Sequence, residues 1–162
     1  MLSSRNGTEK SDTFAAWFPD MVFITRREQF NAAHRLFRDD FSEEENLRVF
    51  GKCSNPNWHG HNYTLFVTVK GPVAPQTGFV VNLASLGRLI REKVVEKLDH
   101  RNINLEVPFM SGRLASTENL AVAIWEELEE EIRKLGGILH SVRINETENN
   151  SAEYLGPEPE KE

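Results

Sequence analysis

Apolar and polar positions alternate along the chain in a way that predicts four strands and two helices. From Met21 to Leu36, Val22, Ile24, Arg26, Glu28, Phe30, Ala32 and His34 share one face at a period of two. That is a long strand whose core face ends on an imidazole. A second strand covers Tyr63-Thr64-Leu65-Phe66-Val67-Thr68-Val69 and is opened by His59-Gly60-His61. Turn signals follow at Lys70-Gly71-Pro72 and Pro75-Gln76-Thr77-Gly78, then the short apolar piece Phe79-Val80-Val81. Asn82 reads as an N-cap. After it Leu83, Leu86, Ile90, Val94 and Leu98 recur at three and four residues, the stripe of an amphipathic helix that packs on a core. The helix ends near Asp99-His100-Arg101-Asn102. Ser116 or Thr117 caps a second helix, with Leu120, Ile124, Leu128 and Ile132 four apart, and Gly136-Gly137 stops it. A third strand is predicted over 138–146, with His140, Val142, Ile144 and Glu146 on one face. A fourth covers 152–155, beyond the Asn149-Asn150 turn. The acidic stretch from Asp39 to Asn46 reads as a solvated loop or a short helix.

The order strand, strand, helix, helix, strand, strand predicts an α+β fold: a four-stranded antiparallel sheet with both helices on one face. Such a sheet has two open edges, and pairing them with other subunits removes the liability. We expect a single domain over 21–155. Residues 1–20 read as a disordered or loosely packed tail, in which Phe14, Trp17 and Phe18 can pack on the body or on a neighbouring subunit. Residues 156–162 read as a second disordered tail. At 162 residues, 39% hydrophobic and 27% charged, the chain can bury a proper core. Its net charge of -6 argues against nucleic acid as the main partner, though a small anionic substrate needs only a local basic pocket. The single cysteine excludes an internal disulfide. The first twenty residues lack the apolar core of a signal peptide, and no apolar run reaches the roughly 18 residues of a membrane span. The expected location is the cytoplasm, with no membrane partner.

Candidate chemistry centres on Gly51-Lys52-Cys53-Ser54-Asn55-Pro56-Asn57-Trp58-His59-Gly60-His61-Asn62-Tyr63. Residues two apart on a strand point the same way, so His59 and His61 can aim at one point, and Gly60 carries no side chain on the opposite face. Two imidazoles sharing a point suit zinc, and a catalytic zinc takes three protein ligands and an open position. His34, at the end of its own strand face, is the candidate third ligand. The Asn-Pro-Asn turn can fold Cys53 back near the metal. Singly, a His-x-His pair or a lone histidine is more often an ordinary surface or core residue; the combination argues for a metal. Asp99-His100 is the second candidate, since a carboxylate beside an imidazole suits general acid–base work near neutral pH. Adjacent helical residues do not face each other, so a turn must bring the two together. Glu146, at the end of an apolar face, requires a partner.

These residues also carry a resemblance. Phe30-Asn31-Ala32-Ala33-His34-Arg35-Leu36, the Cys-x5-His-Gly-His block from Cys53 to His61, Leu98-Asp99-His100-Arg101-Asn102, Ser116-Thr117-Glu118-Asn119 and Asn145-Glu146-Thr147-Glu148-Asn149-Asn150 stand in order over about residues 22 to 155. Together they resemble the 6-pyruvoyl tetrahydropterin synthases. The resemblance implies the tunnel fold, a ββααββ subunit of which three close a twelve-stranded barrel and two trimers stack into a homohexamer. It implies one Zn2+ per subunit on His34, His59 and His61, a catalytic thiol at Cys53, and Asp99 and His100 reaching in from a neighbouring subunit. It places Glu146 on the pterin ring, with Thr117 and Glu118 near the same pocket. The implied activity is that of a carbon–oxygen lyase acting on phosphates. It converts 7,8-dihydroneopterin triphosphate to 6-pyruvoyl tetrahydropterin for tetrahydrobiopterin-type biosynthesis, with Mg2+ a candidate companion of the triphosphate. Lys52, Arg35 and Arg101 are candidate phosphate contacts.

The sister enzymes of the queuosine or 7-deazaguanine route, the 6-carboxytetrahydropterin synthases, usually place three residues between Cys and His-Gly-His. The five found here, Ser54 to Trp58, favour the pyruvoyl activity. A non-catalytic pterin- or zinc-binding scaffold would need no Cys53, Asp99 or His100. Two departures stand out: Trp58 precedes the first chelating histidine where the animal enzymes usually have glycine, and Asn31-Ala32-Ala33 replaces the commoner Ser-Ala-Ser.

Overall fold

Two long strands frame the molecule. In the computed structural model, which describes residues 21–158, β1 (Val22–His34) and β2 (His59–Gly71) pair antiparallel along their whole length, from Val22↔Gly71 to His34↔His59. The proposed tail at 1–20, with Phe14, Trp17 and Phe18, lies outside the described residues, as do 159–162. Burial along β1 alternates as its sequence predicts, with Phe30, Ala32 and His34 buried and Phe23, Thr25, Arg27 and Gln29 exposed on the other face. β2 pairs in turn with β4 (Ile138–Asn145), and β4 with β5 (Ser151–Tyr154), both antiparallel. The four expected strands are therefore present.

A fifth strand was not expected. β3 (Arg101–Asn102) runs parallel to Ala32 and Ala33 of β1, giving the order β3-β1-β2-β4-β5. Two residues carry no periodicity to read; this strand forms because the His100 N–H reaches the Asn31 carbonyl at 2.7 Å. The sheet is open, and among the described residues no further strand pairs with β3 or β5.

The expected face of the third predicted strand is also corrected. Thr68 pairs with Ser141 but Val69 pairs with Leu139, so His140 is the extra residue of a β-bulge. The bulge shifts the parity of β4: Leu139 is buried before it, Val142 and Ile144 after it. His140 does not share their face. Its ring instead meets exposed Phe23 edge-on at 4.7 Å, on the far side of the sheet.

Both predicted helices pack on the other face. In α2 (Leu83–Ile90) the Asn82 side chain accepts from the Ala84 and Ser85 N–H groups at 2.9 and 3.1 Å, the expected N-cap. The helix continues through a π-helical turn (Arg91–Val95) into α3 (Glu96–Leu98). Steps of four residues overshoot an α-helical turn of about 3.6, and the wider π turn takes up that drift. Ile90, Val94 and Leu98 thus all stay fully buried, whereas Leu83, at the first helical position, is half exposed and leaves the stripe. A short helix α4 (Ile103–Glu106) follows β3. In α5 (Thr117–Lys134), capped by Ser116, the same four-residue drift broadens the buried face to include Ala121, Ala123 and Trp125 beside Leu120, Ile124, Leu128 and Ile132. These side chains meet Leu65, Val67, Val69, Val142 and Ile144 of the sheet in one core.

The acidic stretch resolves into a loop and the start of α1 (Glu43–Phe50). Ser42 and Glu45 form a reciprocal capping box, with Glu43, Glu44 and Glu45 in the first turn where the helix dipole favours them. Asn46 is buried there, and its side chain bonds Arg38 and Phe41 backbone groups.

Candidate metal centre and active site

The β1–β2 register assembles three histidines. His34 lies directly opposite His59, and His61 lies opposite Ala32, one core-face step further along. One ring nitrogen from each falls within 4.8 Å of the others. Ring centroids stand 4.4 Å apart for His34–His59, 5.2 Å for His34–His61 and 5.1 Å for His59–His61. Gly60 makes this approach possible: a Cβ there would meet the Ala32 carbonyl oxygen at 2.9 Å and the Ala33 Cα at 3.4 Å. The glycine is required by the neighbouring backbone as well as by its own face.

His34 donates from Nδ1 to the Ala115 carbonyl at 2.8 Å, which turns the lone pair of Nε2 toward the other two rings. That Nε2 is buried and has no hydrogen-bond partner among the described residues; the same holds for both ring nitrogens of His59. Buried polar atoms are nearly always paired, so the unpartnered Nε2 of His34 and a ring nitrogen of His59, clustered with one from His61, fit a cation that takes one nitrogen from each ring. Burial is the largest influence on all three imidazoles and lowers their pKa values, while the Glu146 carboxylate pulls the other way. Neutral rings are what a metal needs. Among the described residues the cluster is these three, and Cys53 stands outside it.

Glu146 finds the partners its position requires. Its Oε1 accepts from the Thr117 hydroxyl at 2.9 Å and lies 3.6 Å from His34 Nε2 and 3.8 Å from His61 Nε2. Its own N–H bonds the Asn150 carbonyl at 3.0 Å, fixing it at the mouth of the β4–β5 turn. A cleft of about 490 Å³ opens here, lined by Leu36, Cys53, Thr117, Glu118, Glu146 and Asn150 among others. Four residues singled out from the sequence thus share one cleft beside the histidines. Cys53 is a free, half-buried thiol in the 3₁₀ turn Gly51–Ser54, and its carbonyl accepts from the Leu36 N–H at 2.9 Å.

Asp99 and His100 pair as a turn would allow, with His100 Nδ1 3.0 Å from Asp99 Oδ2 and His100 at a positive φ of 59°. The other carboxylate oxygen accepts from the Asn31 N–H at 2.9 Å. That bond, and then His100, hold the Asp99 carboxyl below the usual carboxylate range. Neither residue lines the cleft of its own chain, and the His100 side chain is 75% exposed.

Reading the sequence for ligands missed the shell around them. Tyr63 is buried, stacks on Phe30 at 5.0 Å and meets His61 edge-on at 5.6 Å; burial pushes its hydroxyl pKa far up. Its place two residues beyond His61 on the same strand face was the available signal. The Ala115 carbonyl, 81 residues from His34, left no signal in the sequence. Trp58 has φ 65°, a left-handed conformation that favours glycine.

A family model described as 6-pyruvoyl tetrahydropterin synthase matches residues 23–157. The chain belongs to the 6-pyruvoyl tetrahydropterin synthase family. It is 45% identical over 133 residues to the 6-pyruvoyl tetrahydrobiopterin synthase of Homo sapiens, covering 82% of this chain and 90% of the relative. It is 44% identical over 135 residues to the Dictyostelium discoideum enzyme of the same name, covering 83% and 96%. Its fold matches the solved structure of Caenorhabditis elegans 6-pyruvoyl tetrahydropterin synthase with a TM-score of 0.79 at 37% identity, over 85% of this chain and 96% of that one. These likenesses bear out the tunnel-fold α+β subunit expected from the motifs. No described helix is long and apolar enough to cross a membrane.

Proposed function

We propose that the chain is a zinc-dependent 6-pyruvoyl tetrahydropterin synthase, converting 7,8-dihydroneopterin triphosphate to 6-pyruvoyl tetrahydropterin with elimination of triphosphate. The observation that carries this reading is the three-histidine cluster, with buried nitrogens of His34 and His59 that lack hydrogen-bond partners among the described residues, beside a cleft holding a thiol and a carboxylate. His34, His59 and His61 would hold the ion, one per subunit. Three nitrogen donors suit Zn2+, and three protein ligands rather than four leave a position for substrate. When bound, the ion supplies Lewis-acid polarisation of a substrate side-chain oxygen.

The remaining work falls to side chains. Glu146, held by the Thr117 hydroxyl, accepts from the 2-amino and N3–H groups of the pterin, with Glu118 bordering the same cleft. Cys53, as thiolate, takes a proton from the substrate side chain. Asp99 fixes His100 through Nδ1, leaving Nε2 to exchange protons on the other side. Asp99 and His100 lie off their own cleft, which supports the reading that they serve the cleft of a neighbouring subunit. Hydrogen moves from the side chain to the ring and triphosphate leaves, so no external redox cofactor is consumed; Mg2+ accompanies the triphosphate. The open edges at β3 and β5 support closure of a barrel by three subunits, and stacking of two trimers completes the proposed hexamer. The location we assign is the cytoplasm.

The pyruvoyl product is preferred to the carboxy product on the five-residue spacing before His59 and on the relatives' names. Cys53→Ala provides the test. The variant should keep its metal and its pterin affinity while turnover falls at least about a hundredfold. Full turnover without the thiol would refute the mechanism, and equal inactivity of the wild-type chain would refute the enzyme.

A further inference from the structure

We infer that Trp58, through Phe37, is a positioning residue that holds the Cys53 turn against the histidine strands. A left-handed backbone costs energy for any residue with a Cβ, and such strain persists only where the surroundings over-determine it. Trp58 adopts it, at φ 65°, immediately before a metal-site histidine. Its indole meets the Phe37 ring at 6.5 Å and 85°, and the Arg35 guanidinium lies 4.4 Å over that same ring. Arg35 Nε in turn donates to the Ser54 carbonyl at 2.8 Å, and the Leu36 N–H donates to the Cys53 carbonyl at 2.9 Å. The loop closes on itself, because the Trp58 N–H bonds the Asn55 carbonyl at 3.1 Å. The chain leaving β1, the thiol turn and the entry to β2 are thereby tied in one ring of contacts.

The two neighbours of this ring are held differently. His59 is pinned independently by its pairing with His34 in the β1–β2 ladder. The Gly51–Ser54 turn belongs to no strand and meets the exit of β1 through the Arg35–Ser54 and Leu36–Cys53 bonds. Loosening Trp58 should therefore displace the thiol while sparing the metal ligands.

The role of the thiol rests on the function proposed above, but its reactivity can be read without substrate. Cys53 is the only cysteine of the chain, so alkylation by iodoacetamide reports on it alone. Trp58→Asn tolerates the backbone and removes the indole, Trp58→Phe keeps a ring, and Phe37→Leu removes the ring's partner. We expect Trp58→Asn and Phe37→Leu to alkylate about threefold to tenfold faster than wild type, with metal per chain unchanged. Their kcat should fall by a similar factor at nearly constant KM, and Trp58→Phe should stay near wild type on both readouts. Wild-type alkylation rates in Trp58→Asn overturn the inference. So does faster alkylation accompanied by metal loss, or a Trp58→Phe no better than Trp58→Asn, since either marks general loosening. If the wild-type chain has no turnover but the alkylation order holds, the enzyme reading falls and the positioning role stands.

Discussion

Replacing Gly60 by alanine puts a methyl group where the backbone of β1 already lies. The added Cβ would stand 2.9 Å from the Ala32 carbonyl oxygen and 3.4 Å from the Ala33 Cα. Carbon meets a carbonyl oxygen comfortably at about 3.3–3.6 Å, and backbone cannot rotate aside, so the two strands must part by several tenths of an ångström. Overpacking of this kind costs about 1–3 kcal/mol, and the stiffer unfolded chain returns about 0.4–1 kcal/mol. The net loss should be about 1–2 kcal/mol, or about 2–8 °C in Tm at fixed protein concentration. Because the Ala33↔Gly60 pair is flanked by His34↔His59 and Ala32↔His61, the same parting moves two ligands relative to the third. Metal affinity should then fall about ten- to a hundredfold, the scale seen when the support of a ligand shell is disturbed. Guanidinium unfolding of the metal-free chain measures the first effect, and competition with a chelator measures the second. A Gly60→Ala protein whose metal affinity stays within about twofold of wild type would refute the claim that strand spacing sets the centre.

Three further outcomes follow from the same geometry. Chelation should destabilise the wild-type chain by about 2.7 kcal/mol when the reference state holds free metal at a hundred times Kd, and His34→Ala should abolish that difference; denaturation midpoints report both. In the metal-free chain burial holds the imidazoles of His34, His59 and His61 below 6.5, their ordinary value, so the stability they contribute is complete above pH 6.5 and is lost as pH falls through the folded values. A midpoint that rises on acidification from pH 7 to 5 would contradict that sign. Glu146→Gln keeps an oxygen for Thr117 but removes the charge, so pterin binding should weaken about ten- to a hundredfold with metal content unchanged, measured by calorimetric titration.

Much of this was legible in the sequence, and the reasons are local. Period-two alternation marked β1 and β2, and it carried His34, His59 and His61 onto one face because side-chain direction on an unbroken strand is fixed by parity. Parity failed at His140, where one bulged residue reversed it, and a bulge at an ordinary histidine has no composition to betray it. The capping box of Ser42 and Glu45 did stand in the sequence and would have turned the acidic stretch into the start of a helix. The π turn was hidden because a four-residue stripe reads the same whether the helix drifts, as in α5, or widens to absorb the drift, as after α2. Positive φ at Trp58 was invisible because tryptophan does not advertise it, and at His100 a histidine is only a weak signal for it. The Ala115 carbonyl that orients His34 is a long-range contact made by a backbone atom, which any residue supplies.

The three-histidine centre and the Cys53–Glu146 cleft are proposed to act together on a pterin triphosphate. Anaerobic incubation of the zinc-loaded chain with 7,8-dihydroneopterin triphosphate, with products read by mass, tests it most directly. Release of triphosphate with the pyruvoyl side chain retained on a tetrahydropterin is the predicted result. A carboxyl-bearing pterin with acetaldehyde released, or recovery of unchanged substrate from a chain that binds both zinc and pterin, would contradict it.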